Sequence, residues 1–213
     1  MDHMQFLLEE AIRLNIPGDF IETGVWRGGA TIFAAAVFIA YSQTCPSASC
    51  RRVFVADSFR GIPPVNVDAF PADAVHTGAD TIAHLVDNSA QRVRETFAAM
   101  GVLSDAVVFL EGWFKDTLPA ARRSTFGRFA MIRLDGDTYE STWQALDNLY
   151  DLLSPGGFVV VDDYTDWVGC HRAVTDFRER HGVTAPIRPV YHGPGEPVRG
   201  VWWQKPTAAA DAS

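Results

Sequence analysis

Two acidic clusters hold the side chains with the clearest chemical potential in this sequence, Asp135-Gly136-Asp137 and Asp162-Asp163. Each directly follows a short apolar run that reads as a buried strand, residues 129–134 before the first and 158–161 before the second. Between them a helix is expected over residues 139–153, closed by Ser154-Pro155-Gly156-Gly157. Such a unit sets parallel strands side by side, and ligands bind beyond their carboxyl ends. Four carboxylates then meet at one edge of the sheet. Like charges that close are unfavourable without a cation, and an all-oxygen cluster suits Mg²⁺ or a similar hard ion. The competing reading is a pair of helix N-caps, a role Asp fills well, although a cap needs one Asp and not two pairs.

The elements that must carry these acids alternate along the chain. A helix over residues 4–14 stops at Pro17-Gly18. A strand over 19–23 leads through a glycine turn to an Ala-rich helix over 30–41, and a strand over 52–56 ends at Asp57. Residues 63–80 lack apolar periodicity and read as a lid over the site. An amphipathic helix is expected over 81–100, a third strand over 106–110 and a helix over 169–181. Two closing strands, 187–191 and 199–204, flank Gly193-Pro194-Gly195. Alternation of this kind implies a doubly wound, mostly parallel α/β sheet with a C-terminal antiparallel hairpin. It forms one domain over residues 1–206, followed by a disordered tail over 207–213.

Bulk properties narrow the function. A chain of 213 residues with 47% hydrophobic and 21% charged residues fits a soluble globular domain. Its net charge of −8 argues against nucleic acid as a partner. No apolar stretch is long enough to span a bilayer and no signal peptide is expected, so the protein reads as cytoplasmic with no membrane partner. Cys45 and Cys50 flank a loop and read as reduced thiols.

The turn after the first strand, Glu22-Thr23-Gly24-Val25-Trp26-Arg27-Gly28-Gly29, lacks the spacing of a dinucleotide fingerprint. An acidic turn is poorly matched to a pyrophosphate and suits a ligand with a sulfonium or ammonium group. Asp57 stands where a carboxylate can accept hydrogen bonds from both hydroxyls of a ribose; a turn or capping acid is the equal alternative. His76 and His84 read as solvent-exposed loop residues. Tyr139 and Trp143 read as packing, Tyr164 and Trp167 as a possible platform for an acceptor, and Arg133 as internally paired.

Five blocks in order resemble the macrocin O-methyltransferase family, the metal-dependent sugar O-methyltransferases of antibiotic biosynthesis. They are Ile21 to Gly29, Val55-Ala56-Asp57-Ser58-Phe59-Arg60-Gly61-Ile62-Pro63, Gly112-Trp113-Phe114-Lys115-Asp116-Thr117-Leu118-Pro119, Leu134-Asp135-Gly136-Asp137-Thr138-Tyr139-Glu140-Ser141-Thr142, and Ser154 through Tyr164. The resemblance implies a class I methyltransferase fold using S-adenosyl-L-methionine. It implies that Glu22, Thr23, Gly24 and Gly28 line the cofactor turn, Asp57 and Ser58 hold the ribose, and Gly112 and Trp113 lie near the adenine. Asp135, Asp162 and Asp163 match the family's ligands to Mg²⁺ or a similar divalent cation, and Asp137 its general base. The implied acceptor is a small glycosylated natural product and the implied assembly a homo-oligomer. The segment before Ile16-Pro17-Gly18-Asp19 is shorter than is usual in the family. A catechol or phenolic O-methyltransferase is the nearest rival, since a metal chelates any vicinal diol; a non-catalytic nucleoside-binding scaffold is the other.

Overall fold

The computed structural model describes residues 2–45, 48, 50–76, 88–190 and 198–207. Seven strands form one sheet in the order β3-β2-β1-β4-β5-β7-β6. These are β1 (Asp19–Thr23), β2 (Val53–Asp57), β3 (Val107–Glu111), β4 (Phe129–Leu134), β5 (Leu153–Val161), β6 (Arg188–Pro189) and β7 (Val201–Gln204). The first five pair in parallel, and β7 lies antiparallel between β5 and β6. The chain winds outward from β1 through β2 to β3, then restarts on the other side of β1 with β4. The crevice between the carboxyl ends of β1 and β4 is therefore the topological switch point, where open α/β sheets bind ligands.

Strand period decides what each face buries. Phe20, Val53, Val55 and Met131 face α1 (Asp2–Arg13), α2 (Gly29–Ser42) and α3 (Ala90–Ala99). Ile21, Phe54, Ile132 and Val159 face α4 (Phe114–Ser124), α5 (Tyr139–Leu149) and α6 (Val168–Arg180). Both layers are close-packed, with Leu7, Leu8, Phe97, Leu118, Leu149 and Phe177 at most 1% exposed.

Four expectations shift. The helix α4 follows β3 where no helix is read from the sequence. Pro119 within it is a breaker signal, yet Phe114, Leu118 and Ala121 still fall on one buried face. The strand β5 begins at Leu153 and runs through Ser154-Pro155-Gly156-Gly157, read above as a helix stop. Its pairing with β4 is irregular between Phe129 and Met131, and Pro155 is exposed, as proline in a strand requires. The closing strands are shorter than expected. The helix expected over 81–100 begins at Ala90, capped by Ser89; its residues 81–87 with His84, residues 193–195, the end of the expected lid at 77–80 and the tail from 208 lie outside the described residues. No disulfide joins Cys45, Cys50 or Cys170. No helix among the described residues is long and apolar enough to cross a membrane.

Candidate active site

Sheet hydrogen bonding continues one residue past several strands and draws their terminal loops together. Gly24 N donates to Ala56 O at 2.9 Å, Asp135 N to Thr23 O at 2.8 Å, Asp162 N to Leu134 O at 2.9 Å and Gly112 N to Asp57 O at 2.9 Å. Leu134 and Val161 are in register, so Asp135 and Asp162 emerge side by side. One carboxylate oxygen each from Asp135, Asp162 and Asp163 lies within 4.8 Å of the others. Asp137 joins them through its backbone, which donates to Asp163 Oδ2 at 3.2 Å. Thr138 then caps α5 by accepting from Ser141 N at 3.2 Å.

A cavity of about 550 Å³ opens beside these acids, within the range of small-molecule sites. Gly24, Asp57, Ser58, Trp113, Asp135, Asp137 and Asp162 line it. Glu22, Thr23, Gly28, Gly112 and Asp163, also expected at the site, are not among the residues that line it. Gly24 must be glycine, because its φ is +85° and a Cβ would sit 1.7 Å from the carbonyl oxygen of Asp135. Asp57 binds protein before any ligand: Oδ2 accepts from Val25 N at 2.7 Å and Trp26 N at 3.2 Å, and Oδ1 from Phe59 N at 2.7 Å. It thereby ties the glycine turn to the loop after β2.

Backbone strain concentrates here. Among the described residues, the non-glycines with positive φ are Asn15, Trp26, Phe59 and Asp137. The last three line the cavity. A bulky side chain in that region is uncommon, and such strain persists where surrounding structure over-determines it.

The cluster already contains a cation. Arg133 is in register with Glu22 on the strand face that leads to Asp135. Its guanidinium binds Glu22 and Asp135 through Nη1, and Asp162 through Nη2 at 2.6 Å. Burial works against the Arg133 charge, but the pull of Asp135, Glu22 and Asp162 outweighs it and holds its pKa well above the ordinary value. One cation cannot neutralise so many acids. Burial, opposed by Arg133 and reinforced by Asp135, pushes Glu22 up to about 8. Burial and then the charges of Asp135, Asp162 and Asp57 push Asp137 up to about 7. Burial and the charges of Asp135, Asp137 and Asp162 push Asp163 up to about 9. Three carboxyl groups this close, with only one arginine to share and Asp163 reluctant to give up its proton, form the all-oxygen donor set that a hard divalent ion fits.

Other expected contacts lie elsewhere. Tyr164 and Trp167 pack against the core beneath α4, α5 and α6, and do not line the cavity. Tyr139 and Trp143 stack in parallel at 6.0 Å, a packing pair as read. Sequence reasoning missed Asn66, Lys115, Glu140 and Gln144, which also line the cavity. Glu140 and Gln144 carry one signal that would have found them: with Asp137 they recur at helical spacing on the face that follows the acidic loop.

The sequence pattern of the macrocin-O-methyltransferase (TylF) family matches residues 1–205. The chain is 44% identical over 213 residues to the 8-demethyl-8-(2,3-dimethoxy-alpha-L-rhamnosyl)-tetracenomycin-C 4'-O-methyltransferase of Streptomyces olivaceus, an alignment covering 99% of this chain and 74% of that protein. It is 40% identical over 208 residues to the mycinamicin III 3''-O-methyltransferase of Micromonospora griseorubida, covering 96% and 75%. Its fold is similar to the solved structure of the O-methyltransferase NovP, with a TM-score of 0.85 and 37% identity over 96% of this chain and 78% of that one.

Proposed function

This chain belongs to the macrocin O-methyltransferase family, with its class I fold and S-adenosylmethionine-dependent chemistry, and from that premise we propose that it methylates a sugar hydroxyl of a glycosylated natural product with the help of a divalent metal. The observation that carries this reading is the convergence of Asp135, Asp162 and Asp163 near Asp137, beside a cavity that Gly24, Asp57 and Trp113 also line.

S-adenosyl-L-methionine, when bound, supplies an activated methyl group. Gly24 would let the backbone approach it, Asp57 and Ser58 would hold its ribose, and Trp113 would offer an aromatic face to its adenine. Asp135, Asp162 and Asp163 would hold Mg²⁺ or a similar ion, which supplies acidity to a bound hydroxyl.

The protein's own part is alignment and proton removal. An ordinary aspartate is a poor base for an alcohol, since its pKa is about 3.9. Burial and the neighbouring acids bring Asp137 to about 7, where a general base works best near neutral pH. Asp137 would take the proton that the acceptor hydroxyl must lose. Its backbone lies in the left-handed region, with φ at 60°, and its amide is tied to Asp163 Oδ2.

The test is turnover. Purified protein with S-adenosyl-L-methionine is given mycinamicin III, the rhamnosylated tetracenomycin named above, free rhamnose and a simple catechol, each with Mg²⁺ or with chelator. A gain of one methyl group on a sugar-bearing acceptor, lost with chelator and in Asp162→Ala, supports the reading. Methylation of the catechol alone transfers it to the phenolic class. Full turnover in chelator removes the metal.

A further inference from the structure

Asp73 is buried, only 2% exposed, and lies outside the sheet in the 3₁₀ turn Pro71–His76. A buried carboxylate away from the acidic cluster needs partners. It finds them at the start of α5: Oδ1 accepts from Tyr139 N at 2.6 Å and Oδ2 from Glu140 N at 3.3 Å. These are the amides immediately after Asp137-Thr138, at the end of the helix where the dipole favours an anion. Thr138 satisfies the next amide, that of Ser141. The first turn of α5 therefore depends on a carboxylate that is 66 residues distant in sequence for its first amide.

The same residue reaches the cavity wall. Asn66 lines the cavity, Phe70 N donates to Asn66 O at 2.8 Å, and Asp73 N donates to Phe70 O at 3.0 Å. The Phe70 ring stacks on Tyr139 at 5.6 Å. On its far side Asp73 presses against Gly169 near the start of α6, the helix after Asp162-Asp163. A Cβ at Gly169 would sit 2.0 Å from Asp73 Oδ1 and 2.7 Å from Tyr139 N.

We propose that Asp73 is a positioning residue that fastens the segment 59–76, whose first half lines the cavity, to the helix start that follows Asp137, so that the cavity and the acidic loop hold one geometry. The inference rests on the reading of this cavity as the methyl-transfer site. Asp73 touches no reacting atom; it acts through Tyr139, Glu140 and the turns leading to Asn66.

Hydrogen–deuterium exchange on the full chain tests the linkage directly, with thermal unfolding and S-adenosyl-L-homocysteine titration alongside. Asp73→Ala is expected to speed exchange about tenfold or more in peptides covering both 59–76 and 138–141, because charge-assisted bonds closing a local unit are lost. Strands β2 and β4 should keep their protection. Gly169→Ala displaces the carboxylate without altering it and should reproduce both changes. Asp73→Asn keeps an acceptor oxygen for Tyr139 N and should stay within about threefold of wild type. With the acceptor that wild type methylates, Asp73→Ala and Gly169→Ala should raise the acceptor KM about tenfold while S-adenosyl-L-homocysteine affinity holds within about twofold. Unchanged exchange in Asp73→Ala, or equal acceleration in β2 and β4, overturns the proposal. The exchange experiment uses no acceptor, so a wild type that methylates none of the panel counts against the methyl-transfer reading alone.

Discussion

Replacing Arg133 with methionine should destabilise the protein more than any single change at the cavity rim. The Arg133 side chain is 12% exposed and that of Glu22 only 2%. Glu22 Oε1 is bound by Arg133, and Glu22 Oε2 is buried without a hydrogen-bond partner. The variant would leave Glu22 as an uncompensated buried acid and remove the cation shared by Asp135 and Asp162. Breaking a buried pair by removing one partner costs about 3–5 kcal/mol. For a chain of this length each kcal/mol moves the melting temperature by about 2–4 °C, so a fall on the order of 10 °C is expected. Arg133→Lys keeps the charge but lacks the planar fork that reaches three carboxylates, and should recover roughly half. Arg133→Met with Glu22→Leu removes both charges from the buried layer and should recover part of the loss. The assay is denaturant and thermal unfolding in chelator near pH 8. A loss below about 1 kcal/mol in Arg133→Met, the level of a surface pair, would refute the reasoning.

Three further outcomes follow from the same geometry. Asp137→Asn should leave S-adenosyl-L-homocysteine affinity intact by calorimetry and lower turnover by about 10²–10⁴, the range for a lost general base; wild-type turnover removes Asp137 from that role. Without metal, stability should fall as pH rises from about 6 to about 9. Glu22, Asp137 and Asp163 have folded pKa values of about 8, 7 and 9 against ordinary values of 4.5, 3.8 and 3.8, so the folded state holds the extra protons and loses that advantage on deprotonation. Mg²⁺ should raise the melting temperature more at the alkaline end, and a flat profile in chelator sinks this account. Gly24→Ala should abolish cofactor binding, since its Cβ would meet the Asp135 carbonyl at 1.7 Å; retained affinity means the turn and the acidic loop are not rigidly apposed.

Much of the frame was legible because it is local. Strands β1 and β4 coincide with strands read from the sequence, and the acids that follow the strands necessarily cluster once parallel pairing is inferred. The Asp135–Asp137 and Asp162–Asp163 clusters were legible for that reason, as were the glycine turn and Asp57. The helix α4 was hidden by Pro119 and by the charged residues around a narrow buried stripe, which weaken periodicity without preventing burial. Arg133 read as an internally paired residue, but its partners come from three different strands and loops. Asp73 gave no signal, because a lone aspartate in an irregular stretch looks like any solvated loop acid.

Sequence alone determined which residue types are available and which strand ends they follow, since propensity, period and turn chemistry act over a few positions. Tertiary structure decided how charge is shared among them. Glu22, Arg133, Asp135 and Asp162 meet only through sheet register, and the resulting burial places Asp137 near neutrality. Electrostatic energy depends on distance and on exclusion of water, and chain order encodes neither.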